Sequence, residues 1–211
     1  MRAIIIGGGS CNKNLKEYIL PGDFIVCADS GYDHAKSLGL VPALVIGDMD
    51  SIVSTVQSGP EIITAPVQKD ETDSMLCVDI LAERGFDNIL FFGAMGGRSD
   101  HSFANITLLL YAAKKGVHLE IVHETSHMFV IDKKAEISGN TGDTFSLFAL
   151  GGDASGITTT GLFYPLADET LFADNPRGVS NELVENKATV SVKNGYLLAI
   201  HIKGGETNEQ Y

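Results

Sequence analysis

The spacing of apolar positions changes part-way along the chain. Up to about residue 123, short continuous apolar runs alternate with longer segments in which apolar residues return every three or four positions. Residues 2–6, 24–28, 44–46, 62–63, 88–92 and 117–123 are runs rich in Ile, Val, Leu and Phe and read as strands. Segments 14–20, 33–38, 74–84 and 103–115 read as helices; the third carries apolar residues at 76, 77, 80 and 81, one helical face. Strand, turn and helix in repetition predict a mostly parallel sheet with right-handed crossovers, a Rossmann-like three-layer α/β domain.

Beyond residue 124 the helical period disappears. Residues 128–131, 134–137, 144–149, 156–160, 189–192 and 197–203 are short and rich in Val, Ile, Thr and Phe. Glycine turns such as Ser138-Gly139-Asn140, Gly151-Gly152-Asp153 and Lys193-Asn194-Gly195 separate them. This pattern predicts an all-β sandwich. The expected organisation is an α/β domain at 1–123 and a β-sandwich at 124–211, with a polar tail from 204.

Composition narrows the partners. The 211 residues are 44% hydrophobic, enough for a sizeable core, and carry a formal charge of −12. That charge argues against a nucleic-acid binder, whose affinity rests on clustered Lys and Arg. An acidic chain that handles a phosphorylated ligand needs metal ions between the like charges. No run of eighteen apolar residues exists to span a membrane, and residues 1–6 run straight into a glycine turn, too short for a signal peptide. Cys11, Cys27 and Cys77 are odd in number and lack zinc spacing, which fits reduced thiols. A soluble cytoplasmic protein is expected.

The chemistry-bearing residues follow the strands. Val45-Ile46-Gly47-Asp48-Met49-Asp50-Ser51 places two carboxylates at alternate positions beyond a buried strand. In an open α/β sheet ligands gather beyond the carboxyl ends of the strands, and one or two carboxylates suffice to hold Mg²⁺ against substrate phosphates. The same aspartates also suit a helix cap. Asp29-Ser30-Gly31 ends another strand. Lys69-Asp70-Glu71-Thr72-Asp73 precedes a helix, where carboxylates serve as caps or as ligands, and Lys69 suits a phosphate. Gly96-Gly97-Arg98-Ser99-Asp100-His101 combines small residues, which let backbone approach a phosphate, with a guanidinium fork. Gly7-Gly8-Gly9-Ser10 offers a backbone nest or a plain turn; as a dinucleotide fingerprint it fails, because Asn12 stands at the third glycine position. His101, His118, His123 and His127 show no metal-ligand spacing.

Taken together and in order, Ala28-Asp29-Ser30-Gly31, Gly47-Asp48-Met49-Asp50-Ser51, the 69–73 segment and the 96–101 segment resemble the thiamine pyrophosphokinase family, bacterial type. Thr158-Thr159-Thr160-Gly161-Leu162-Phe163-Tyr164-Pro165-Leu166 and Gly178-Val179-Ser180-Asn181-Glu182 resemble its second-domain signatures. The resemblance implies an ATP-dependent diphosphotransferase: the thiamine hydroxyl attacks the β-phosphorus of ATP and yields thiamine diphosphate and AMP. It implies Mg²⁺ held by Asp48, Asp50 and Asp73, with Asp70 assisting. Lys69 and Arg98 would stabilise phosphate charge, and Asp29, Ser30, Thr72, Gly96 and Gly97 would line the nucleotide site. Asp100 would orient thiamine, act as base, or touch the metal. Phe163, Tyr164, Ser180 and Asn181 would form the vitamin pocket, in a homodimer whose active sites lie between the α/β domain of one subunit and the sandwich of the other. The chain has no tryptophan, where eukaryotic members of the family place one near the thiamine ring.

Three alternatives accompany this reading. One is a pyrophosphokinase for another small alcohol, such as a hydroxymethyl-pterin; a second is a catalytically silent nucleotide-binding module. The third, an NAD-dependent oxidoreductase, is disfavoured by the broken glycine fingerprint.

Overall fold

The computed structural model describes residues 1–11, 14–47, 59–64 and 71–204. The chain divides into two compact units, Met1–Glu124 and Thr125–Tyr211. It is a mixed α/β, sheet-rich fold with few helices.

In the first unit the elements are β1 (Arg2–Ile6), α1 (Leu15–Tyr18), β2 (Phe24–Ala28), α2 (Gly31–Ser37), β3 (Leu44–Gly47), β4 (Glu61–Thr64), α3 (Asp73–Glu83), β5 (Asn88–Phe92), α4 (Ser99–Lys114) and β6 (His118–His123). All the strand pairs are parallel, in the order β4-β3-β2-β1-β5-β6. The apolar runs explain this arrangement. Ile4, Ile6, Cys27, Val45 and Phe92 pack with Leu15, Tyr32 and Ala35 of α1 and α2. Their strand neighbours Ala3, Ile5, Val26, Leu44, Ile46 and Phe91 are equally inaccessible. A strand buried on both faces needs a continuous apolar run rather than alternation. Each such aliphatic or aromatic side chain contributes about 1.5–3 kcal/mol on burial.

Strand order fixes where a ligand can sit. The chain builds outward from β1 through β2 and β3 to β4, then returns to place β5 on the other side of β1. The connections after β1 and β5 therefore diverge at a topological switch point, the position where open α/β sheets leave a crevice.

The second unit contains β7 (Ser126–Ile131), β8 (Lys134–Ser138), β9 (Thr144–Ala149), β10 (Ala154–Thr160), β11 (Glu169–Leu171), β12 (Asn181–Glu182), β13 (Lys187–Ser191) and β14 (Leu197–Ile202). Antiparallel pairing gives β12-β9-β14-β7 and β11-β10-β13-β8. Ile131, Phe145, Leu147, Leu197 and Ala199 from the first set share a core with Ile137, Ile157, Leu171, Ala188 and Val190 from the second. Beside that core, His201 Nε2 and Asp143 Oδ2 are 3.0 Å apart and inaccessible to solvent. Asp143 also accepts from the amides of Asn140 and Gly204.

Some boundaries depart from the sequence expectation. Helix α4 begins at Ser99 rather than 103, so Asp100 and His101 belong to its first turn. Helix α3 buries Cys77, Val78 and Leu81, while Leu76 and Ile80 are only partly covered. Strands β11 and β12, three and two residues long, were not expected from the apolar pattern.

Candidate active site

A cavity of about 690 Å³ opens in the first unit at the switch point between β1 and β5. The turns after both strands form its floor and are laced together through backbone: Gly7 N donates to Phe92 O at 2.8 Å, Gly9 N to Gly93 O at 2.8 Å and Ser10 N to Met95 O at 2.7 Å. Such closeness demands glycine. A Cβ on Gly9 would stand 2.4 Å from Met95 O, and one on Gly31, at the start of α2, only 1.9 Å from Ile6 O. From the opposite side Asn105 of α4 donates through Nδ2 to Ala94 O at 2.7 Å and holds the turn after β5 in place.

Around this floor the structure gathers Asp29, Ser30, Thr72, Asp73, Gly97, Arg98 and Asp100. Gly96 belongs to the same turn; its carbonyl accepts from Ser10 Oγ at 3.0 Å, but it is not itself part of the lining. Asp29 adopts a left-handed backbone, φ +47. Its carboxylate lies against Gly47, where an added Cβ would be 1.8 Å from Oδ1. Thr72 caps α3, its Oγ1 accepting from Met75 N at 3.2 Å, which leaves Asp73 as the first helical residue, next to the positive end of the helix.

Arg98 and Asp100 pair through two hydrogen bonds. That pairing, with the His101 amide as a further donor, pulls the Asp100 carboxyl down to about 2, and burial opposes the shift only in part. Both side chains are exposed at the cavity, so the pair is a solvated, exchangeable contact rather than a buried ion pair. Nearby, burial pushes the Cys11 thiol up to about 11 and Cys27 to about 12, which keeps both protonated and removes them as nucleophiles at neutral pH.

Asp48, Asp50, Lys69 and Asp70 lie outside the described residues. Among the described residues no group of three His, Cys, Asp or Glu side chains is placed to hold a metal.

The other expected residues lie in the second unit. Tyr164 and Asn181 line a separate cavity of about 450 Å³, walled by Leu147, Leu162, Leu166, Leu171 and Val179. Phe163 and Tyr164 are exposed and meet edge to face, with ring centroids 4.8 Å apart. Ser180 holds a left-handed backbone, φ +55, and its amide donates to Ser146 Oγ at 3.0 Å. Phe163 and Ser180 are not among the lining residues of that cavity.

Sequence reasoning passed over Asn105, Ser74 and Ser102 of the larger cavity. Asn105 carries no motif, and only the fold shows which carbonyl it holds.

Comparison with known proteins matches both parts of the chain. The thiamin pyrophosphokinase catalytic domain matches residues 15–121, and the thiamin pyrophosphokinase vitamin B1 binding domain matches residues 126–197. The chain belongs to the thiamin pyrophosphokinase family. A thiamine pyrophosphokinase of Bacillus subtilis (strain 168) is 27% identical over 205 residues, covering 93% of this chain and 96% of the relative. Thiamine pyrophosphokinase 2 of Oryza sativa subsp. japonica is 28% identical, covering 94% and 78%. Among solved structures, the Bacillus subtilis thiamine pyrophosphokinase superposes with a TM-score of 0.89 at 26% identity, covering 97% of this chain and all of that one. The Geobacillus thermodenitrificans family member gives 0.85 at 27% identity, covering 99% and 100%. No helix among the described residues is long and apolar enough to cross a membrane.

Proposed function

We propose that this protein is a cytoplasmic thiamine pyrophosphokinase that transfers the β,γ-diphosphate of ATP to the hydroxyl of thiamine, giving thiamine diphosphate and AMP. The observation that carries the reading is the switch-point cavity. It joins a floor of closely packed backbone turns to Asp29, Asp73, Arg98 and Asp100, in a chain whose two halves match the family's two domains in order.

The donors suit a hard cation. Asp73 lines the cavity, and Asp29 stands beside Gly47, directly before Asp48. Both are carboxylate oxygen donors, the kind that Mg²⁺ favours. Asp48, Asp50 and Asp73 would hold it, with Asp70 assisting. When bound, Mg²⁺ neutralises phosphate charge that an acidic site would otherwise repel.

The chain's own groups do the rest. The small residues of the turns after β1 and β5 leave room for a phosphate to approach their backbone closely. Ser30 and Thr72 add hydroxyls, and Lys69 and Arg98 add positive charge where it develops during transfer. A loose phosphoryl transition state asks mainly for positioning and electrostatic stabilisation. Asp100 fits that demand by orienting the thiamine hydroxyl and steadying Arg98, since a carboxylate held near 2 is a weak proton acceptor. Phe163, Tyr164 and Ser180 supply the vitamin contacts, with an aromatic face for the cationic thiazolium.

The larger organisation belongs to the same reading: a three-layer Rossmann-like catalytic domain at 1–123, a β-sandwich for thiamine binding and dimerisation at 124–211, and a homodimer with active sites at the subunit interface. Thiamine-dependent release of AMP from ATP and Mg²⁺, followed by chromatography, tests it. Equimolar AMP and thiamine diphosphate is the expected result; ADP with thiamine monophosphate would overturn the position of attack.

A further inference from the structure

Asn181 is the residue of the second unit whose sequence motif most suggests a substrate contact, yet its side chain is occupied by the protein. Oδ1 accepts from the amides of Tyr164, at 3.0 Å, and Glu182, at 2.9 Å, while Nδ2 donates to Tyr164 O at 2.9 Å. A side-chain amide offers two acceptor sites and two donor hydrogens. Three of those four positions are therefore spent on backbone, and the partners fix which way the amide faces. The two bonds to Tyr164 imitate one rung of an antiparallel ladder, made by a side chain across 17 residues of sequence.

The segment held in this way is the one that carries the exposed aromatic pair. A second clamp grips it further along: buried Thr159 accepts from Leu166 N through Oγ1 at 2.8 Å. At the first clamp Tyr164 is 67% exposed, a large aromatic presented to solvent on a fixed backbone. An aromatic ring left this open loses packing energy, and two clamps on the backbone beneath it point to a use for its orientation.

We propose that Asn181 is a positioning residue that acts on the acceptor substrate through Tyr164, by fixing the backbone from which that ring is presented, and not by hydrogen-bonding the substrate itself. This rests on the reading of thiamine as acceptor. The chemistry recognised at Tyr164 is that of a flat, cationic heteroaromatic ring, for which the face of a phenol is a suitable partner.

Two measurements decide the matter. Amide hydrogen exchange at Tyr164, followed without substrate, is expected to quicken at least about tenfold in Asn181→Ala, since the amide loses its acceptor; an unchanged rate would overturn the clamp. A double-mutant cycle with Tyr164→Ala then separates direct from indirect action. Asn181→Ala alone is expected to raise the KM for thiamine about tenfold while leaving the KM for ATP unchanged, and to add nothing in the Tyr164→Ala background. An equal penalty in both backgrounds would make Asn181 a direct contact and end the proposal. Asn181→Asp, which keeps the acceptor but not the donor, is expected to show a smaller rise, and it replaces Asn181→Ala in the cycle if the alanine variant does not fold. A wild-type protein that converts no thiamine would remove the assigned reaction, while the exchange rate would still decide the clamp.

Discussion

Arg98 and Asp100, two residues apart at the start of α4, face each other as a fork on a carboxylate: Nε lies 3.2 Å from Oδ1 and a terminal nitrogen 2.6 Å from Oδ2. The pair holds at one edge of the cavity the cation and the carboxylate that the proposed reaction uses. Its signature is the depressed Asp100 ionisation. Carboxyl NMR titration is predicted to place Asp100 near 2, and Arg98→Gln to return it towards 3.8. The sign follows from linkage: a depressed folded pKa adds stability above the unfolded value, lost as pH falls through the folded one. No limb of the pH–rate profile between 5 and 8 should then belong to Asp100; a limb abolished by Asp100→Asn would contradict this.

Helix α3 separates a structural role from a chemical one at adjacent positions. Thr72→Ala removes the cap on the Met75 amide and is predicted to cost about 1 kcal/mol of stability. Asp73→Asn, one residue on, is predicted to cost at most about 1 kcal/mol of stability and to lower kcat by about 10²–10³-fold, the scale of a lost electrostatic contact to the transition state. Near-normal turnover of Asp73→Asn would take that carboxylate out of the mechanism.

The buried Asp143–His201 pair predicts an acid-sensitive second unit. Asp143 is held below its ordinary 3.8: burial opposes ionisation, but the amides of Asn140 and Gly204 and the His201 ring together outweigh it. Its stabilisation is therefore full above the unfolded value and disappears as pH falls through the lower folded value. Asp143→Ala removes the acceptor shared by the amides of Asn140 and Gly204 and the His201 ring and is predicted to cost about 1–3 kcal/mol. Urea unfolding across the acid range measures both effects, and an Asp143→Ala midpoint equal to wild type would contradict them.

Gly8 and Gly31 test the cavity floor in different ways. A Cβ at Gly31 meets the Ile6 carbonyl, which is backbone and cannot turn aside, so Gly31→Ala is predicted to destabilise the fold by about 1–3 kcal/mol. At Gly8 the obstacle is Ser30 Oγ, 2.1 Å away, a hydroxyl that can rotate. Gly8→Ala should therefore fold and show its effect as a higher KM for ATP. Thermal melts and ATP kinetics of the two variants distinguish these outcomes.

The parallel strands were legible because burial on both faces leaves continuous apolar runs: Arg2–Ile6, Phe24–Ala28 and Asn88–Phe92 coincide with the expected segments. Helix α4 was not legible at its start. Ser99, Asp100 and His101 read as loop because a first turn exposed at a cavity carries no apolar periodicity. Strands β11 and β12 take their form from partners on β10 and β9 rather than from Glu-Thr-Leu or Asn-Glu. The larger cavity was foreseeable in outline, since each motif follows a strand, and Asp29, Asp73, Arg98 and Asp100 do meet there. What Asn105 and Asn181 hold depends on carbonyls and amides 11 and 17 residues distant, which no local pattern displays.

The most direct test of the account is to follow the bridging oxygen of ATP. With ¹⁸O between the α- and β-phosphorus, the protein, Mg²⁺ and thiamine are predicted to yield AMP carrying all of the label, alongside an equal amount of unlabelled thiamine diphosphate, as attack at the β-phosphorus requires. Label recovered in free pyrophosphate or in ADP would place the attack at a different phosphorus and contradict the proposed diphosphoryl transfer.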